Sequence, residues 1–185
     1  MSTDTVTLFL ALLATVAQVA TLTIVVVEVG GRRGSGPLVA ARRALHTQIG
    51  PQALALAAVV ALVCTAGSLY LSEVANFPPC RLCWFQRVGM YPLVVLLGLA
   101  AVRRDRSIRP YAATLAVLGG LVSVWHLLVE RYPTLEGSSC DPLNPCSIKW
   151  VERFGYLTIP GMALSGFALI VALLAVAGPS TREHP

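Results

Sequence analysis

The chain has 185 residues, of which 56% are hydrophobic and only 12% are charged. Soluble domains carry about 25% charged residues, so the composition excludes an ordinary soluble protein and indicates one that lies in a lipid bilayer. The net charge of +5 comes mainly from arginine clusters between apolar stretches. That pattern is typical of membrane orientation, and we expect no nucleic acid among the partners.

Two uncharged stretches predict the first two membrane spans. Residues 5–27 form a helix of about 34 Å, enough for about 30 Å of hydrocarbon. No basic residue precedes this stretch, which argues against a cleaved signal peptide. Glu28 and the glycine pair at 30–31 are expected to end the helix, and a basic loop follows. Residues 52–71 form the second span; Cys64 in its middle is interpreted as a packing residue and given no role.

A Cys-x-x-Cys motif, Cys80 and Cys83, precedes the third apolar stretch and follows two prolines. Residues 88–102 alone are too short to span, so we expect the helix to begin at Cys83, with Gln86 and Arg87 inside the membrane boundary. A cysteine at a helix N-terminus faces unpaired N–H groups that favour the thiolate. Arg87 lies one turn below Cys83 on the same face. It is a candidate functional residue; the alternative is an arginine that snorkels to the headgroups.

Two more spans complete the predicted bundle. Residues 111–129 form the fourth, with a glycine pair at 119–120 that permits close helix contact and with His126 near its far end. The fifth runs over residues 160–177 and opens on a proline, which suits the first turn of a helix. The sequence therefore predicts an all-α integral membrane protein with five spans.

The polar segment between the fourth and fifth spans carries a second cysteine pair, Cys140 and Cys146. Two prolines and an asparagine between them predict a turn that brings the sulfurs together. Ser147 is a candidate N-cap for a short surface helix in which Trp150 and Phe154 share one face.

The arginines predict the orientation of the spans. Two loops, between spans one and two and between spans three and four, hold eight arginines and no lysine. Positively charged loops stay in the cytoplasm, so we expect the N-terminus outside and the C-terminus in the cytoplasm. Both cysteine pairs then lie on the extracytoplasmic side of a multi-pass cell (plasma or inner) membrane protein.

Cysteine pairs on the oxidising side of a membrane favour disulfides over metal binding, and we expect no metal. A zinc site with two cysteines from each loop, or two purely structural disulfides, are the alternatives. If spans three and four are neighbours, Arg87 and His126 lie at one depth below the reactive sulfur. Arginine there would stabilise a developing oxyanion and histidine would relay a proton to a lipid-soluble acceptor. The alternative for His126 is a packing histidine.

Residues 79–87, which read Pro-Cys-Arg-Leu-Cys-Trp-Phe-Gln-Arg, are followed by Met-Tyr-Pro at 90–92. They resemble the signature of the DsbB family of membrane thiol:quinone oxidoreductases, closest to its BdbC-like branch. His126, the second cysteine pair and residues 150–160 extend the resemblance, which covers about residues 50–178.

The resemblance implies one membrane domain over residues 1–185, with a four-helix core at 51–178 and an extra N-terminal span at 5–28. Its implied activity is to reoxidise a DsbA-like, thioredoxin-fold partner outside the cytoplasm and to pass the electrons to a membrane quinone, menaquinone or ubiquinone. This would support disulfide bond formation in folding proteins.

By position in the motif, Cys80 and Cys83 match the quinone-proximal pair, with Cys83 as the sulfur that engages the quinone. Arg87 matches the arginine beside the quinone. Cys140 and Cys146 match the pair that exchanges with the partner, although which of the two is attacked stays open. Three further residues are expected to share quinone binding: Trp84, Gln86 and His126.

Two features depart from the better-known proteobacterial pattern. The first span is extra, and the loop cysteines are separated by only five residues, which leaves open whether the loop must move toward Cys80. Homologues of vitamin K epoxide reductase do similar chemistry, but their loop pair precedes the Cys-x-x-Cys motif and here it follows. A non-enzymatic scaffold with two structural disulfides is the other alternative.

Overall fold

A computed structural model describes residues 2–33, 36–137, 140–141 and 143–177. Its helices are α1 (Thr3–Arg33), α2 (Pro37–Gln48), α3 (Ala53–Leu69), α4 (Arg81–Arg103), α5 (Arg109–Arg131) and α6 (Ile159–Val176). A 3₁₀ turn at Gly50–Gln52 precedes α3, and a π-helical turn at Tyr70–Val74 extends it. Five helices, all except α2, are long and apolar enough to cross a membrane, which confirms the all-α membrane fold with five spans.

Helices α3 to α6 form a four-helix bundle in which α3 packs on α4 and α6, and α5 packs on the same two helices. The N-terminal helix α1 lies outside this bundle, against α6. Large apolar side chains fill the centre, among them Leu93, Leu97, Phe167, Ile170 and Leu174. The five spans alternate in direction. We call the end that carries Cys80, Cys140 and Cys146 the cysteine end, and the opposite end the arginine end.

Glycines let the helices of the bundle approach closely, as the glycine pair at 119–120 predicted. A Cβ atom on Gly119 would lie 2.3 Å from Cζ of Phe167, and one on Gly89 would lie 3.2 Å from the Cα of Gly119. The ring of Phe167 therefore occupies the space that a side chain at Gly119 would fill, and the backbone of Gly119 lies close to the space at Gly89. Helices α4, α5 and α6 meet at this point.

The expected end of the first helix at Glu28 is wrong, because α1 continues to Arg33. The glycine pair serves helix packing instead: a Cβ on Gly30 would lie 2.7 Å from Cδ1 of Leu38 on α2. The expected basic loop is largely this second helix. Glu28 is buried and binds Arg42 and His46 of α2, so its carboxylate is neutralised inside the α1–α2 contact.

The short surface helix expected after Ser147 does not form. Ser147 donates its hydroxyl to Glu136 at 2.8 Å and caps nothing. The chain instead forms a two-stranded antiparallel hairpin, β1 (Glu152–Arg153) with β2 (Leu157–Thr158). Phe154 and Gly155 turn the chain with φ angles of 56° and 75°, values that a helix excludes. Trp150 and Phe154 therefore do not share a helix face.

Candidate active site

The first cysteine pair lies at the N-terminus of α4, at the cysteine end of the bundle. The helix begins at Arg81 instead of Cys83, and Cys80 is its N-cap. The Sγ atom of Cys80 accepts a hydrogen bond from the backbone N–H of Cys83 at 3.3 Å. The two sulfurs lie 2.9 Å apart as free thiols, so small side-chain rotations can bring them to bonding distance.

His126 of α5 lies beside this pair. Its Nε2 atom is 3.7 Å from Sγ of Cys80 and 3.0 Å from the carbonyl oxygen of Cys146. The side-chain amide of Gln86 lies 3.2 Å from Nδ1. These contacts suit a neutral imidazole whose Nε2–H donates to the carbonyl while Nδ1 accepts from the amide. Hydrogen bonding by the Cys83 thiol, and then by His126, lowers the pKa of Cys80 below its ordinary value.

The second cysteine pair forms a disulfide, Cys140–Cys146, with a Cα–Cα distance of 6.0 Å. Cys146 is 1% exposed and packs with Cys80 in one buried cluster, which Cys140 borders as a half-buried residue. The structure thus places the two cysteine pairs together. The four-cysteine zinc site considered from the sequence would need both loop sulfurs as separate ligands, whereas here they are bonded to each other. Cys80, Cys83 and His126 have donor atoms within 4.8 Å of one another, one ligand short of a structural zinc site.

Polar contacts hold the loop disulfide over the N-terminus of α4. The Glu136 carboxylate accepts from the backbone N–H of Cys146 and from the Ser147 hydroxyl. On the other side, the side-chain amide of Asn144 donates to the carbonyl oxygen of Pro79 at 3.2 Å. Because Pro79 directly precedes Cys80, this bond ties the turn between the loop cysteines to the start of the Cys-x-x-Cys motif.

Arg87 is 8% exposed, so it does not snorkel to the membrane surface. Its Nε donates to the hydroxyl of Ser68 at 3.1 Å, and a terminal nitrogen donates to the carbonyl oxygen of the same residue, also at 3.1 Å. The guanidinium lies over the ring of the outward-facing Trp84, with Cζ 5.0 Å from the ring centroid. A cation is therefore fixed between α3 and α4, one helical turn below Cys83.

A cavity of about 340 Å³ opens beside this cation and is bounded by α1, α3, α4 and α6. Its cysteine end is lined by Cys83, Gln86 and Arg87, together with Phe77 and Trp150, whose rings stack at 5.6 Å. The remaining lining is overwhelmingly aliphatic. A site of this size and polarity suits an apolar ligand with one polar end.

The expected binding residues divide between two places. Arg87 and Gln86 line the cavity, whereas Trp84 and His126 do not. His126 borders a second, small cavity of about 20 Å³ with Cys80, Cys83 and Glu130, which is room for about one water molecule. The hydroxyl of Thr158 donates to the Glu130 carboxylate at 2.7 Å. The two cavities meet at Cys83, which lines both.

Three residues of this site are absent from the sequence-based predictions: Ser68, Glu130 and Glu136. The sequence could have indicated Ser68, since it is a polar residue within an apolar span. It could not have indicated Glu136, because the contact of that residue with Cys146 depends on how the polar segment folds. Cys64 lines the cavity as a free thiol, and a Cβ on Gly166 would lie 2.5 Å from its sulfur, so it packs against helix backbone.

Comparisons with known proteins cover most of this chain. The family model described as "Disulfide bond formation protein DsbB" matches residues 51–177. "Disulfide bond formation protein C" of Bacillus subtilis is 41% identical over 119 residues, which are 64% of this chain and 86% of the relative. "Probable disulfide formation protein C 1" of Bacillus anthracis is 40% identical over 110 residues (58% and 78%). "Probable disulfide formation protein" of Coxiella burnetii is 43% identical over 122 residues (64% and 82%). No solved structure matches the chain significantly.

Proposed function

The chain belongs to the DsbB family of disulfide bond formation proteins, and from this membership we propose that it is a membrane thiol:quinone oxidoreductase. In this proposal it takes electrons from a DsbA-like, thioredoxin-fold protein outside the cytoplasm. It passes them through its two cysteine pairs to a menaquinone or ubiquinone. The observation that supports the proposal best is the placement of Cys80 and Cys146 in one buried cluster, beside a cavity that holds Arg87.

The proposed entry point for electrons is Cys140, because it is the more exposed member of the loop disulfide. A thiolate of the partner attacks Sγ of Cys140, the Cys140–Cys146 bond breaks, and Cys146 leaves as a thiolate. Cys146 is buried next to Cys80, where it can attack an oxidised Cys80–Cys83 pair and release Cys83 as a thiolate. The close packing of the two pairs means that this transfer needs little loop movement.

The second half of the exchange restores the loop pair. The second thiolate of the partner attacks its own mixed disulfide, so the partner leaves oxidised and Cys140 is released. Cys140 then attacks Cys146, which re-forms the loop disulfide and releases Cys80. The Cys80–Cys83 pair now carries the two electrons.

The quinone, when bound, accepts two electrons and two protons and becomes a quinol. Cys83 lines the cavity beside Arg87, whose permanent charge would stabilise negative charge on a quinone carbonyl oxygen held there. The Nε2–H group of His126 lies 3.7 Å from the Cys80 sulfur and can stabilise its thiolate as the pair is oxidised. Glu130, across the small cavity, is a group that can hold a proton.

The experiment that tests this function uses the purified full-length protein, a reduced DsbA-like protein and a ubiquinone or menaquinone analogue. We expect quinone absorbance to fall as the partner becomes oxidised. The matched control is the Cys80→Ser, Cys83→Ser double variant, which keeps the loop disulfide and should give no quinone turnover. If the unmodified protein oxidises no partner and reduces no quinone, the two disulfides are structural and the proposal fails.

The side of the membrane on which the two cysteine pairs lie is part of the same proposal. The membrane-spanning fold places both cysteine pairs at one end and the arginine-rich connections at the other. The arginines favour the cytoplasm for their end, so the cysteine end lies outside, where a secreted thioredoxin-fold protein can reach it.

A further inference from the structure

Helix α1 lies outside the region that the DsbB family model matches, yet it lines the large cavity. Five of its residues face the cavity: Leu10, Leu13, Ala14, Val16 and Ala17. The helix is therefore a wall of the proposed quinone site and is not a detached membrane anchor. Without α1, the cavity would be open to lipid along one whole side.

Specific polar contacts fix the rotation of α1 against the bundle. The amide of Gln18 donates to the hydroxyl of Ser165 on α6 at 3.0 Å and accepts from the hydroxyl of Tyr156 at 3.0 Å. Nearer the cysteine end, Arg153 of the hairpin donates to the Asp4 carboxylate at 2.6 Å and to the Thr7 hydroxyl at 2.7 Å. Each of these bonds requires the same face of α1 to point inward.

Between α1 and α3, the cavity is closed to lipid near the cysteine end and open to lipid farther along the two helices. Near the cysteine end, Leu10 of α1 packs against Gly67 of α3, where a Cβ would lie 3.0 Å from the leucine Cδ2. Farther along the same two helices, Val16 and Val59 both line the cavity and are 65% and 55% exposed. Because both helices span the membrane, this exposed surface faces lipid. The two valines form the rim of a lateral mouth between α1 and α3.

The size of the cavity indicates what passes through the mouth. A volume of about 340 Å³ is near the lower limit for small-molecule sites, enough for a ring headgroup and the beginning of an apolar chain. The polar end of the cavity, at Cys83 and Arg87, lies on the side of the closed Leu10–Gly67 contact. A headgroup held there would point its chain along the aliphatic walls toward Val16 and Val59.

We propose that α1 and α3 frame a lateral mouth, with Val16 and Val59 at its rim, through which the isoprenoid tail of the bound quinone leaves the cavity for the lipid. This inference rests on the proposed function and adds a role for the extra N-terminal span. Narrowing the mouth should obstruct quinones that carry a long tail and spare those that lack one. The first span is then a determinant of acceptor specificity.

The test is a Val16→Phe variant of the full-length protein, assayed with one long-tailed quinone and one tailless analogue of the same ring. The matched control is Val19→Phe, which adds the same bulk at a position of α1 that is 61% exposed and does not line the cavity. Both substitutions lie on outward-facing positions, so both proteins should fold. We expect Val16→Phe to raise the apparent KM for the long-tailed quinone by about fivefold or more, with the tailless analogue and the control changed less than about twofold.

Equal KM values for Val16→Phe and Val19→Phe with both quinones would overturn the inference while leaving the function intact. A Val16→Phe effect of the same size on both quinones would also overturn it, since the residue would then act on the headgroup. A long-tailed quinone with a photoreactive group on its tail gives a second measurement on the unmodified protein. Labelling should concentrate at Val16 and Val59; labelling confined to the outer faces of α4 and α5 contradicts the proposed mouth. Absence of all quinone turnover in the unmodified protein would instead reject the function itself.

Discussion

The guanidinium of Arg87 donates to both the hydroxyl and the carbonyl oxygen of Ser68, at 3.1 Å each, and so joins α4 to α3 inside the membrane. This arginine therefore has a structural partner on one side and the large cavity on the other. Substitutions can separate the role of Arg87 in helix packing from its proposed role in quinone reduction.

We predict that Arg87→Lys retains part of the quinone-reduction rate and that Arg87→Gln loses considerably more. Lysine keeps the positive charge and loses the planar fork, whereas glutamine loses the charge. Removal of one oxyanion donor costs about 3 kcal/mol in well-studied enzymes, and we expect less here because Gln86 also lines the cavity. Both variants should raise the apparent KM for quinone, measured by quinone absorbance.

Ser68→Ala is the matched control for Arg87, because it removes one hydrogen bond to the guanidinium and leaves the charge. We expect a small loss of thermal stability in detergent and a nearly normal quinone rate. If Arg87→Gln turns over quinone normally and only lowers the unfolding temperature, then the arginine is a helix-packing residue and its proposed role is wrong.

A second prediction concerns the pKa of Cys80, which hydrogen bonding by Cys83 and then by His126 holds below the ordinary thiol value of about 8.5. A lowered pKa keeps the thiolate as pH falls, and the thiolate is lost only below that lowered value. His126→Phe removes one of the lowering interactions, so the titration midpoint should move to higher pH without reaching the ordinary value. Ultraviolet absorbance of the thiolate measures this midpoint in a variant that keeps Cys80 and Cys83 and in which Cys64, Cys140 and Cys146 are replaced.

Gln86→Leu serves as the comparison, because it removes the neighbour of Nδ1 and leaves the imidazole beside Cys80. We expect a smaller shift of the midpoint in the same direction. An unchanged midpoint in His126→Phe would mean that the histidine only packs against the loop.

The third prediction uses the unequal burial of the loop cysteines. Cys146→Ala leaves Cys140 as a half-buried free thiol, which should capture the oxidised form of a DsbA-like protein as a stable mixed disulfide. Cys140→Ala leaves Cys146, which is 1% exposed, and should capture much less. Non-reducing gel electrophoresis separates the two outcomes. Stronger capture by the Cys140→Ala variant would mean that the partner attacks Cys146 and not Cys140.

The fourth prediction concerns the contact between Gly119 and Phe167. A Cβ at Gly119 would lie 2.3 Å from the phenylalanine ring, so Gly119→Ala should destabilise the bundle by about 1–3 kcal/mol. Gly120→Ala is the matched control on the same helix, since its Cβ would make an ordinary contact at 3.6 Å. Thermal unfolding in detergent should show a lower midpoint for the first variant only. Equal midpoints would show that α6 can shift to admit the methyl group.

The fifth prediction is the orientation of the chain in the cell membrane. Reporter fusions or accessibility tags near Arg42 and Arg106 should give a cytoplasmic signal, and a tag near Glu136 should give an exterior one. A cytoplasmic position for Glu136 would place both cysteine pairs in a reducing compartment and would remove the basis for disulfide chemistry there.

Several parts of the fold could be predicted because they depend on local sequence. Uncharged stretches of sufficient length predicted four of the spans, and the third followed once its helix was extended back to Cys83. The glycine pair at 119–120 predicted close helix packing. The helix that begins near the Cys-x-x-Cys motif was also expected, although its first residue is Arg81. Errors arose at the ends of elements and after Ser147, where a hairpin forms in place of the expected surface helix. The glycine pair at 30–31 was expected to end α1, but it packs against Leu38 and the helix continues.

The sequence by itself determined the membrane fold and the family, because hydrophobic length and a contiguous cysteine motif are properties of neighbouring residues. Only the tertiary structure decided which side chains share a site. It placed Cys146 against Cys80, paired Arg87 with Ser68, and separated His126 from the large cavity that Arg87 lines. These contacts join residues far apart in the chain, and they depend on how each helix is rotated about its axis. The same reason explains α1: its apolar sequence permits any face to point inward, and the hydrogen bonds of Gln18 select the face that closes the cavity.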